Sequence, residues 1–262
     1  CTKFGGFGSE ARGMEIYRDP EKITRFLTSW IKEKFGVAGA KGAVLGVSGG
    51  IDSAVLAALL AKSLGPDRVI GVIMPCYSMQ VDEDYAKLLA KTIGIRTMKV
   101  DLSSSYDTLK REIENSLPGL GGLSAANIKP RLRMTTLYAV AQQYGYLVCG
   151  GSNKDEITFG YFTKYGDSGV DLMPIADLLK GEVWAVAEYL GVPPEIIGRP
   201  PTAALWEGQT DEAEMGLTYK ELDRYIATGD APEETKQRIE MAFKRSAHKR
   251  AFAPMAKLPD NL

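Results

Sequence analysis

Short apolar runs along this chain alternate with longer stretches in which apolar residues recur every three or four positions. The short runs predict buried strands, and the longer stretches predict amphipathic helices. Because strands and helices alternate, we expect an α/β fold with a doubly wound parallel sheet and right-handed crossovers. The predicted elements are, in chain order, helix Pro20–Phe35, strand Ala43–Val47, helix Ser53–Leu64, strand Val69–Met74, helix Asp82–Ile93, strand Arg96–Val100, helix Ser104–Leu117, helix Ala125–Tyr144 and strand Tyr146–Cys149.

The pattern changes after Gly151, where the predicted strands end and helices dominate. Arg199–Gly216 holds two prolines, two glycines and several acids, which is typical of a long exposed loop, and we expect it to be mobile. Residues 1–13 are rich in glycine and are also expected to be flexible. We expect residues 1–262 to form a single domain. The helices predicted in this second part are Lys180–Leu190, Tyr219–Ala227 and Glu233–Ala247.

The composition is that of a globular protein with a substantial core, since 45% of the 262 residues are hydrophobic. The 32 basic and 33 acidic residues nearly cancel, so the net charge does not favour a nucleic-acid partner. No apolar run approaches the length of a membrane span and no signal peptide is visible, so we expect no membrane partner. Cys1, Cys76 and Cys149 form no Cys-x-x-Cys pair, which favours a reducing, cytoplasmic location. His248 is the single histidine, which argues against a zinc site built on several histidines.

The segment Ser48-Gly49-Gly50-Ile51-Asp52-Ser53 joins the first predicted strand to the helix that follows it. Its two glycines let the backbone approach a ligand and adopt positive φ at little cost. The N–H groups at the start of the helix can bind a phosphate, and the two serines can add hydroxyl donors. The Asp52 carboxylate can hold Mg²⁺ beside the phosphates. The loop is not a Walker A motif, because the chain contains no Gly-Lys dipeptide.

This loop resembles the pyrophosphate loop of ATP pyrophosphatases. The resemblance implies that ATP is split between its α- and β-phosphates, that a substrate oxygen becomes adenylated and that pyrophosphate leaves. It also implies a Rossmann-like sheet of the adenine nucleotide alpha hydrolase type, with flanking and C-terminal helices. The alternative is a Ser/Gly-rich turn between a strand and a helix that binds nothing.

Further segments narrow the resemblance to the NAD synthetase family, and it then runs from about Thr24 to about Pro254. The family resemblance implies a carbon–nitrogen ligase that converts deamido-NAD to NAD with ATP and ammonia through an acyl-adenylate. Mg²⁺ is the implied cofactor, and ATP is a co-substrate. The segments that carry the resemblance are Asn127–Met134, Gly150–Glu156, Phe162–Asp167, Asp171–Pro174, Pro201–Ala203, Gly208–Glu212 and His248–Arg250.

The resemblance also implies roles for single residues around ATP. Asp52 and Glu156 match the magnesium-binding acids of the family, with ordinary surface acids as the alternative. Asp167 matches the acid of the ammonia pocket, and together with Asp52 and Lys180 it forms the expected catalytic set. Alternatively, Asp167 is a turn residue and Lys180 a solvated lysine at a helix end. The implied ATP-binding residues are Leu45, Gly46, Val47, Ser48, Gly49, Gly50, Ile51, Asp52, Ser53, Gly151, Lys180 and Thr202.

A second set of residues matches positions that contact deamido-NAD in the family. Arg131 and Arg133 are two positions apart on a predicted helix and do not share a face, so we expect one to bind substrate and the other to pair within the fold. The run His248-Lys249-Arg250 either holds an acidic group of the substrate or caps the last helix. Asp211 matches a position around the dinucleotide or ATP. The implied substrate-binding residues are Asn127, Arg131, Arg133, Lys164, Asp171, His248 and Lys249.

The chain departs from the family pattern at two places. Gly151 stands where many relatives carry threonine, so a hydroxyl contact to substrate or ATP would be missing. The run Met74–Tyr77 holds no arginine, whereas some members have one in the loop after the second strand. An adenine contact at that loop would therefore be missing as well.

The family resemblance implies a homodimer with deamido-NAD bound across the interface, and helices Pro20–Phe35 and Ala125–Tyr144 are the candidate interface. We expect the chain to use free ammonia, and a separate glutaminase partner stays open. Two other functions also stay open. One is a different adenylating amidotransferase with a pyrophosphate loop, such as a GMP synthetase-like enzyme. The other is an ATP-binding sensor on the same fold that catalyses nothing.

Overall fold

The computed structural model describes residues 16–202 and 210–259, and every structural statement below concerns those residues. The strands are β1 (Ala43–Gly46), β2 (Val69–Ile73), β3 (Arg96–Lys99) and β4 (Leu147–Val148). The helices of the first part are α1 (Pro20–Ala38), α2 (Ile51–Leu64), α3 (Gln80–Ile93), α4 (Ser103–Ser116), α5 (Gly122–Ala126) and α6 (Ile128–Tyr144). Those of the second part are α7 (Lys154–Phe159), α8 (Lys180–Tyr189), α9 (Pro194–Ile197), α10 (Asp211–Met215), α11 (Tyr219–Thr228) and α12 (Glu233–Arg245).

The described strands form one parallel sheet in the order β3-β2-β1-β4. Ala43 of β1 pairs with Val69 on one side and Leu147 on the other. The chain thus runs from β1 outward to β3 and returns to the opposite side of β1 as β4. This topology confirms the expected doubly wound α/β fold. In such sheets ligands bind at the carboxyl ends of the strands, where the strand order reverses, and here that point lies between β1 and β4.

Helices cover both faces of the sheet because the strand residues alternate between them. Leu45 of β1 packs into one cluster with residues of α1, α2, α3 and α8. Val44, its neighbour in sequence, packs into a second cluster with Leu137 and Ala141 of α6. A third cluster joins α11 and α12 around Tyr219 and Leu222. The segment Ser48–Ser53, called the phosphate loop below, therefore follows a strand of a sheet that is buried on both sides.

The start of α1 follows its sequence signals. The Asp19 side chain accepts from the Lys22 N–H at 2.9 Å, and Pro20 occupies the first helical position. The predicted apolar face packs into the core through Ile23, Leu27 and other residues, whereas Phe26 stays 67% exposed. Among the described helices, none is long and apolar enough to cross a membrane.

Several element predictions differ from the structure. The helix predicted over Ala125–Tyr144 is divided at Asn127 into α5 and α6. The last predicted strand is reduced to β4, after which Cys149 makes an isolated bridge to Leu172. Helix α7 was not predicted, because its six residues are too short to show a helical apolar period.

The prediction of a loop over Arg199–Gly216 was wrong for α10. Thr210 caps this short helix by accepting from the Ala213 N–H at 3.4 Å, and Asp211 and Met215 are buried. Residues 203–209, which belong to the same predicted loop, and residues 1–13 lie outside the described residues. The expectation that both stretches are mobile stays a prediction.

Candidate active site

A cavity of about 1160 Å³ opens at the carboxyl ends of the strands. The segments that follow β1, β2, β3 and β4 all reach it, as expected for a doubly wound sheet. The structure thereby brings together most of the residues that the sequence singled out. Those that line the cavity are Gly46, Val47, Ser48, Gly50, Ile51, Asp52, Ser53, Asn127, Arg131, Arg133, Gly151, Glu156, Lys164, Asp167, Thr202, Asp211, His248 and Lys249.

The phosphate loop is held by its own hydroxyl groups. The Ser53 hydroxyl lies 3.1 Å from that of Ser48, donates to the Gly50 carbonyl at 2.9 Å and accepts from the Ser48 N–H at 3.3 Å. Gly50 precedes α2 without a side-chain cap. Because the first N–H groups of a helix have no partner within it, the start of α2 offers donors to an anion in the cavity.

Gly49 is required for packing rather than for ligand approach. Its φ is +77°, in the left-handed region, and a Cβ built on it would collide with the backbone carbonyl of Asp82. Asp82 lies in the first turn of α3, so the loop and the start of α3 are in direct contact. Gly49 itself does not line the cavity.

Asp52 holds a fully buried lysine beside the loop. The Lys180 Nζ donates to Asp52 Oδ2 at 2.5 Å, and the Asn153 amide donates to Asp52 Oδ1 at 2.9 Å. Burial by itself lowers the pKa of Lys180, but the nearby Asp52 and Glu156 carboxylates outweigh it and raise that pKa above its ordinary value. The ammonium group therefore stays charged.

Glu156 approaches Asp52 from the start of α7. It forms a capping box with Asn153: the Glu156 N–H donates to Asn153 Oδ1 at 3.0 Å, and the Asn153 N–H donates to Glu156 Oε2 at 3.2 Å. Burial, and then the charge of Asp52, raise the pKa of Glu156. Two carboxylates from segments far apart in the sequence thus share one side of the cavity.

The position of Lys180 depends on acids that the sequence did not indicate. The Lys180 N–H donates to Asp155 Oδ2 at 2.9 Å and to Asp223 Oδ1 at 3.0 Å, and the Gly181 N–H donates to Asp223 Oδ2 at 2.9 Å. The Tyr17 hydroxyl also donates to Asp223, at 2.7 Å. Asp155 adjoins Glu156 in a motif used for the resemblance, but no local signal pointed to Asp223.

A second region of the cavity contains Asp167. Its Oδ1 accepts from the Thr163 N–H at 2.9 Å, and the Thr163 hydroxyl donates to Asn127 at 2.8 Å. The Asp167 side chain is exposed to the cavity, and the protein atoms near its carboxyl group desolvate it in part. This partial desolvation raises the pKa of Asp167, against the lowering effect of its hydrogen bond to Thr163.

Arg131 and Arg133 point to different partners, as their spacing predicted. Arg133 donates to the Met74 carbonyl at the end of β2 at 3.2 Å, and burial lowers its pKa. Arg131 donates to the Lys164 carbonyl at 3.3 Å. Both line the cavity, so neither is confined to a role within the fold.

The basic run His248-Lys249-Arg250 was expected either to hold an acidic group of the substrate or to cap the last helix. Its residues divide between these two positions. Lys249 lines the cavity and donates to the Gly160 and Phe162 carbonyls at 2.9 and 2.8 Å. Arg250 instead contacts the end of α12, through Ser246 at 2.7 Å and the Phe243 carbonyl. The His248 carbonyl accepts from Lys164 at 2.5 Å, which joins the two basic segments.

Some predicted site residues lie outside the cavity wall. Leu45 is buried in β1, and Lys180 reaches the cavity only through Asp52. Asp171 stabilises β4 instead, accepting from the Val148 N–H at 2.8 Å and from the Tyr138 hydroxyl at 3.0 Å. At Gly151 an added Cβ would make ordinary contacts at 3.6 Å, so a larger side chain is not excluded by space.

The sheet and the cavity define the class of this protein. The loop at the end of β1 offers helix N–H groups to the cavity, the carboxylates of Asp52 and Glu156 line it, and the buried Lys180 pairs with Asp52 behind its wall. This arrangement is suited to the phosphates of a nucleotide. The family model described as NAD synthase matches residues 23–253, and the chain belongs to this family. It is therefore a ligase.

Individual relatives cover most of the chain. The NH(3)-dependent NAD(+) synthetase of Finegoldia magna is 53% identical over 233 residues, 88% of this chain and 94% of that protein. The structure of NMN synthetase from Francisella tularensis is 35% identical with a TM-score of 0.88, covering 92% of this chain and 100% of the other. The NH3-dependent NAD synthetase from Campylobacter jejuni, solved with a nitrate ion, is 27% identical with a TM-score of 0.77, over 92% and 100%.

Proposed function

We propose that this enzyme makes NAD from deamido-NAD, using ATP and ammonia and releasing AMP and pyrophosphate. The supporting observation is that one cavity joins the phosphate loop and its carboxylates to Asp167 and a set of basic side chains. The names of the relatives support the same reaction. A nucleotide, a second anionic substrate and ammonia can therefore meet in one place.

The first step is adenylation of the nicotinate carboxylate. A carboxylate oxygen attacks the α-phosphorus of ATP, the bond to the bridging oxygen breaks, and pyrophosphate leaves with that electron pair. The loop N–H groups and the Ser48 and Ser53 hydroxyls hold the departing phosphates. Lys180, kept charged by Asp52, adds a fixed positive charge beside them.

The carboxylates of Asp52 and Glu156 fit Mg²⁺. They offer hard oxygen ligands at the phosphate side of the cavity, and the mutual repulsion that helps raise the pKa of Glu156 would be relieved by a cation. Among the described residues no group of three or more acids, cysteines or histidines forms a metal site, so substrate phosphates and water would complete the coordination. Mg²⁺ bound there would neutralise charge on the phosphates.

In the second step ammonia attacks the carbonyl carbon of the acyl-adenylate, and AMP leaves. Ammonium must lose a proton before it can attack, and we assign the Asp167 carboxylate as the base that accepts this proton. Because its pKa is raised, the Asp167 carboxylate is a stronger base than an ordinary aspartate. We assign Asn127, Arg131, Arg133, Lys164, His248 and Lys249 to the dinucleotide, whose diphosphate is anionic.

A second acceptor deserves testing because one of the similar solved structures is that of an NMN synthetase. That enzyme class would amidate the mononucleotide instead of the dinucleotide. The phosphate loop and the ammonia region would serve either substrate equally. The choice between them lies in the basic part of the cavity.

The decisive experiment mixes the enzyme, ATP, Mg²⁺ and an ammonium salt with either deamido-NAD or nicotinate mononucleotide. We expect NAD and AMP in equal amounts with deamido-NAD. Faster AMP release with the mononucleotide would favour the second acceptor, and a purine nucleotide as the best acceptor would favour a GMP synthetase-like enzyme. ATP binding without any AMP would indicate a sensor.

Asp52→Asn provides the matched variant for this assay. Asparagine keeps an oxygen for the Lys180 ammonium but loses the charge that would hold Mg²⁺, so we expect AMP formation to fall at least a hundredfold. As a control, Asp67→Asn makes the same substitution at an exposed residue that does not line the cavity, and it should leave the rate unchanged. Near-full activity of Asp52→Asn would contradict the proposed metal role.

We further propose a homodimer in the cytoplasm that uses free ammonia. The apolar face of α1 packs within the chain, so the exposed Phe26 and Val37 are what α1 offers to a partner. The second candidate helix, Ala125–Tyr144, stays a prediction. Further exposed apolar side chains are Leu109 in α4, Leu117 just after it and Leu123 in α5. Cys76 and Cys149 are free thiols, which supports a reducing compartment. Light scattering should give twice the 28.5 kDa chain mass.

A further inference from the structure

We propose that Arg199 binds the β- and γ-phosphates of ATP, and that Asp82 holds its guanidinium in place while no nucleotide is bound. In the sequence, Arg199 marks only the start of a predicted loop. The inference depends on the proposed function only in taking ATP as the nucleotide. It does not depend on the acceptor or on ammonia.

Arg199 is held near the phosphate loop by its ion pair with Asp82. Its NH2 group donates to Asp82 Oδ1, and both residues line the cavity. Asp82 also contacts the loop, because its backbone carbonyl occupies the space where Gly49 would carry a Cβ. The guanidinium is thus fixed next to the loop by a residue that touches the loop itself.

Both members of the pair can separate without being left unpaired. Asp82 Oδ2 accepts from the Met79 N–H at 3.1 Å, and its position in the first turn of α3 favours a negative charge. Arg199 lies over the ring of Tyr85, with 5.8 Å from its guanidinium carbon to the ring centroid. The Tyr85 ring would keep the side chain near the loop after it leaves Asp82.

Two lysines near the phosphate side of the cavity are already paired with carboxylates. Lys180 is fully buried and bound to Asp52, and Lys99 is bound to Glu83 at 2.7 Å. Without Arg199, the Asp82 carboxylate would face the phosphates directly, and like charges at close range repel. A guanidinium has five N–H donors, of which the described residues engage one in a hydrogen bond, to Asp82. It can therefore bind phosphate oxygens in a bidentate manner.

The test compares binding of α,β-methylene-ATP, which cannot be split at the reactive bond, with binding of AMP, which lacks the β- and γ-phosphates. Arg199→Gln should lower the affinity for the ATP analogue at least tenfold, because a charge-assisted contact to phosphate is lost. Its affinity for AMP should stay within twofold of the wild type. Asp82→Asn should bind the analogue as well as the wild type or more tightly. Titration calorimetry in Mg²⁺ gives both affinities.

A loss of affinity in Arg199→Gln without a loss in Asp82→Asn separates binding from a purely structural role. If the ion pair only stabilises the fold, Arg199→Gln and Asp82→Asn remove the same contact and weaken the analogue alike, which would overturn the proposal. An unchanged affinity in Arg199→Gln would overturn it too. If Arg199→Gln does not fold, Arg199→Lys must show an intermediate loss of affinity for the ATP analogue. Wild-type affinity in Arg199→Lys would contradict the proposal.

A matched control and a kinetic readout complete the design. Arg224→Gln breaks a different ion pair, between Arg224 and Asp230, in which both side chains are exposed. This variant should bind the ATP analogue and AMP as the wild type does. In the full reaction, Arg199→Gln should raise the KM for ATP with a smaller effect on the KM for deamido-NAD. Because the calorimetry omits the acceptor and ammonia, failure of NAD formation would not affect its outcome.

Discussion

The two carboxylate oxygens of Asp52 make contacts within the fold, and the metal role that we propose for Asp52 would use the same oxygens. It neutralises a lysine that is fully buried, and it faces the side of the cavity where Glu156 lies. Removing one partner of a buried ion pair leaves an unpaired charge and costs about 3–5 kcal/mol. Replacement of Asp52 by alanine therefore tests stability as much as catalysis, which is why asparagine is the informative substitution.

Asp211 should make the stability of the enzyme decrease as the pH rises. Burial raises the pKa of this carboxyl above 3.8, so the folded state binds its proton more tightly than the unfolded state. That contribution is fully present below the ordinary pKa and is lost as the pH rises through the folded-state value. In Asp211→Asn the loss is absent, and asparagine can still accept from the Tyr219 hydroxyl. The unfolding free energy of the variant minus that of the wild type should therefore increase between pH 4 and 8. Urea denaturation at each pH measures this difference.

Glu221 provides a control with the opposite sign. The Thr218 N–H and hydroxyl both donate to its carboxylate at 2.8 Å and lower its pKa. Its stabilising contribution is present above the ordinary pKa and is lost as the pH falls, so Glu221→Gln should be less stable than wild type at pH 7, with a gap that closes in acid. A gap for Asp211→Asn that stays constant with pH would contradict the assignment.

Among the secondary-structure elements, those with a local signal were predictable and those defined by distant contacts were not. The strand, loop and helix around Ser48–Ser53 follow from an apolar run, glycines and an alanine-rich helix, and the structure contains them. The division of the long helix at Asn127 and the shortness of β4 depend on neighbouring segments. Helix α10 forms in a stretch whose composition favours a loop, because Thr210 caps it and its buried residues pack inward.

The same distinction applies to the site. Residues on the phosphate loop were predictable because they are contiguous. The pairing of Lys180 with Asp52, 128 residues away, and of Arg199 with Asp82, 117 residues away, depends on how the sheet orders its strands. Asp223, which fixes the start of α8, comes from a helix outside every segment that carried the family resemblance. Sequence patterns identify such residues as charged but do not indicate their partners.

The two glycines of the phosphate loop should differ sharply in their tolerance of alanine. Gly49→Ala forces a side chain into the left-handed region and against the Asp82 carbonyl, so we expect it to lose about 1–3 kcal/mol of stability and to bind ATP poorly. Gly50 has an ordinary φ of −94°, and its nearest neighbour would be Ser48 Oγ at 3.4 Å, so Gly50→Ala should cost less than about 1 kcal/mol. Urea unfolding of both variants checks this, and similar losses would refute it.

Taken as a whole, the molecule holds its site from two sides. The sheet supplies the phosphate loop, while the C-terminal helices supply Asp223 and pack Tyr219 beside Lys180, with 4.8 Å from the ammonium nitrogen to the ring centroid. Lys180 is thus fixed by contacts from both parts of the chain. Binding at the loop should consequently stabilise the sheet and the C-terminal helices together rather than the loop alone.

This coupling predicts a magnesium-dependent thermal shift of the whole chain. A ligand at a hundred times its Kd stabilises the folded state by about 2.7 kcal/mol. For a chain of this size each kcal/mol raises the unfolding temperature by roughly 2–4 °C, so α,β-methylene-ATP with Mg²⁺ should raise it by about 5–10 °C in a single transition. With EDTA the phosphates would face Asp52 and Glu156 directly, and most of the shift should vanish. Calorimetric scans that show an equal shift with EDTA would mean that these carboxylates do not hold a metal beside the nucleotide.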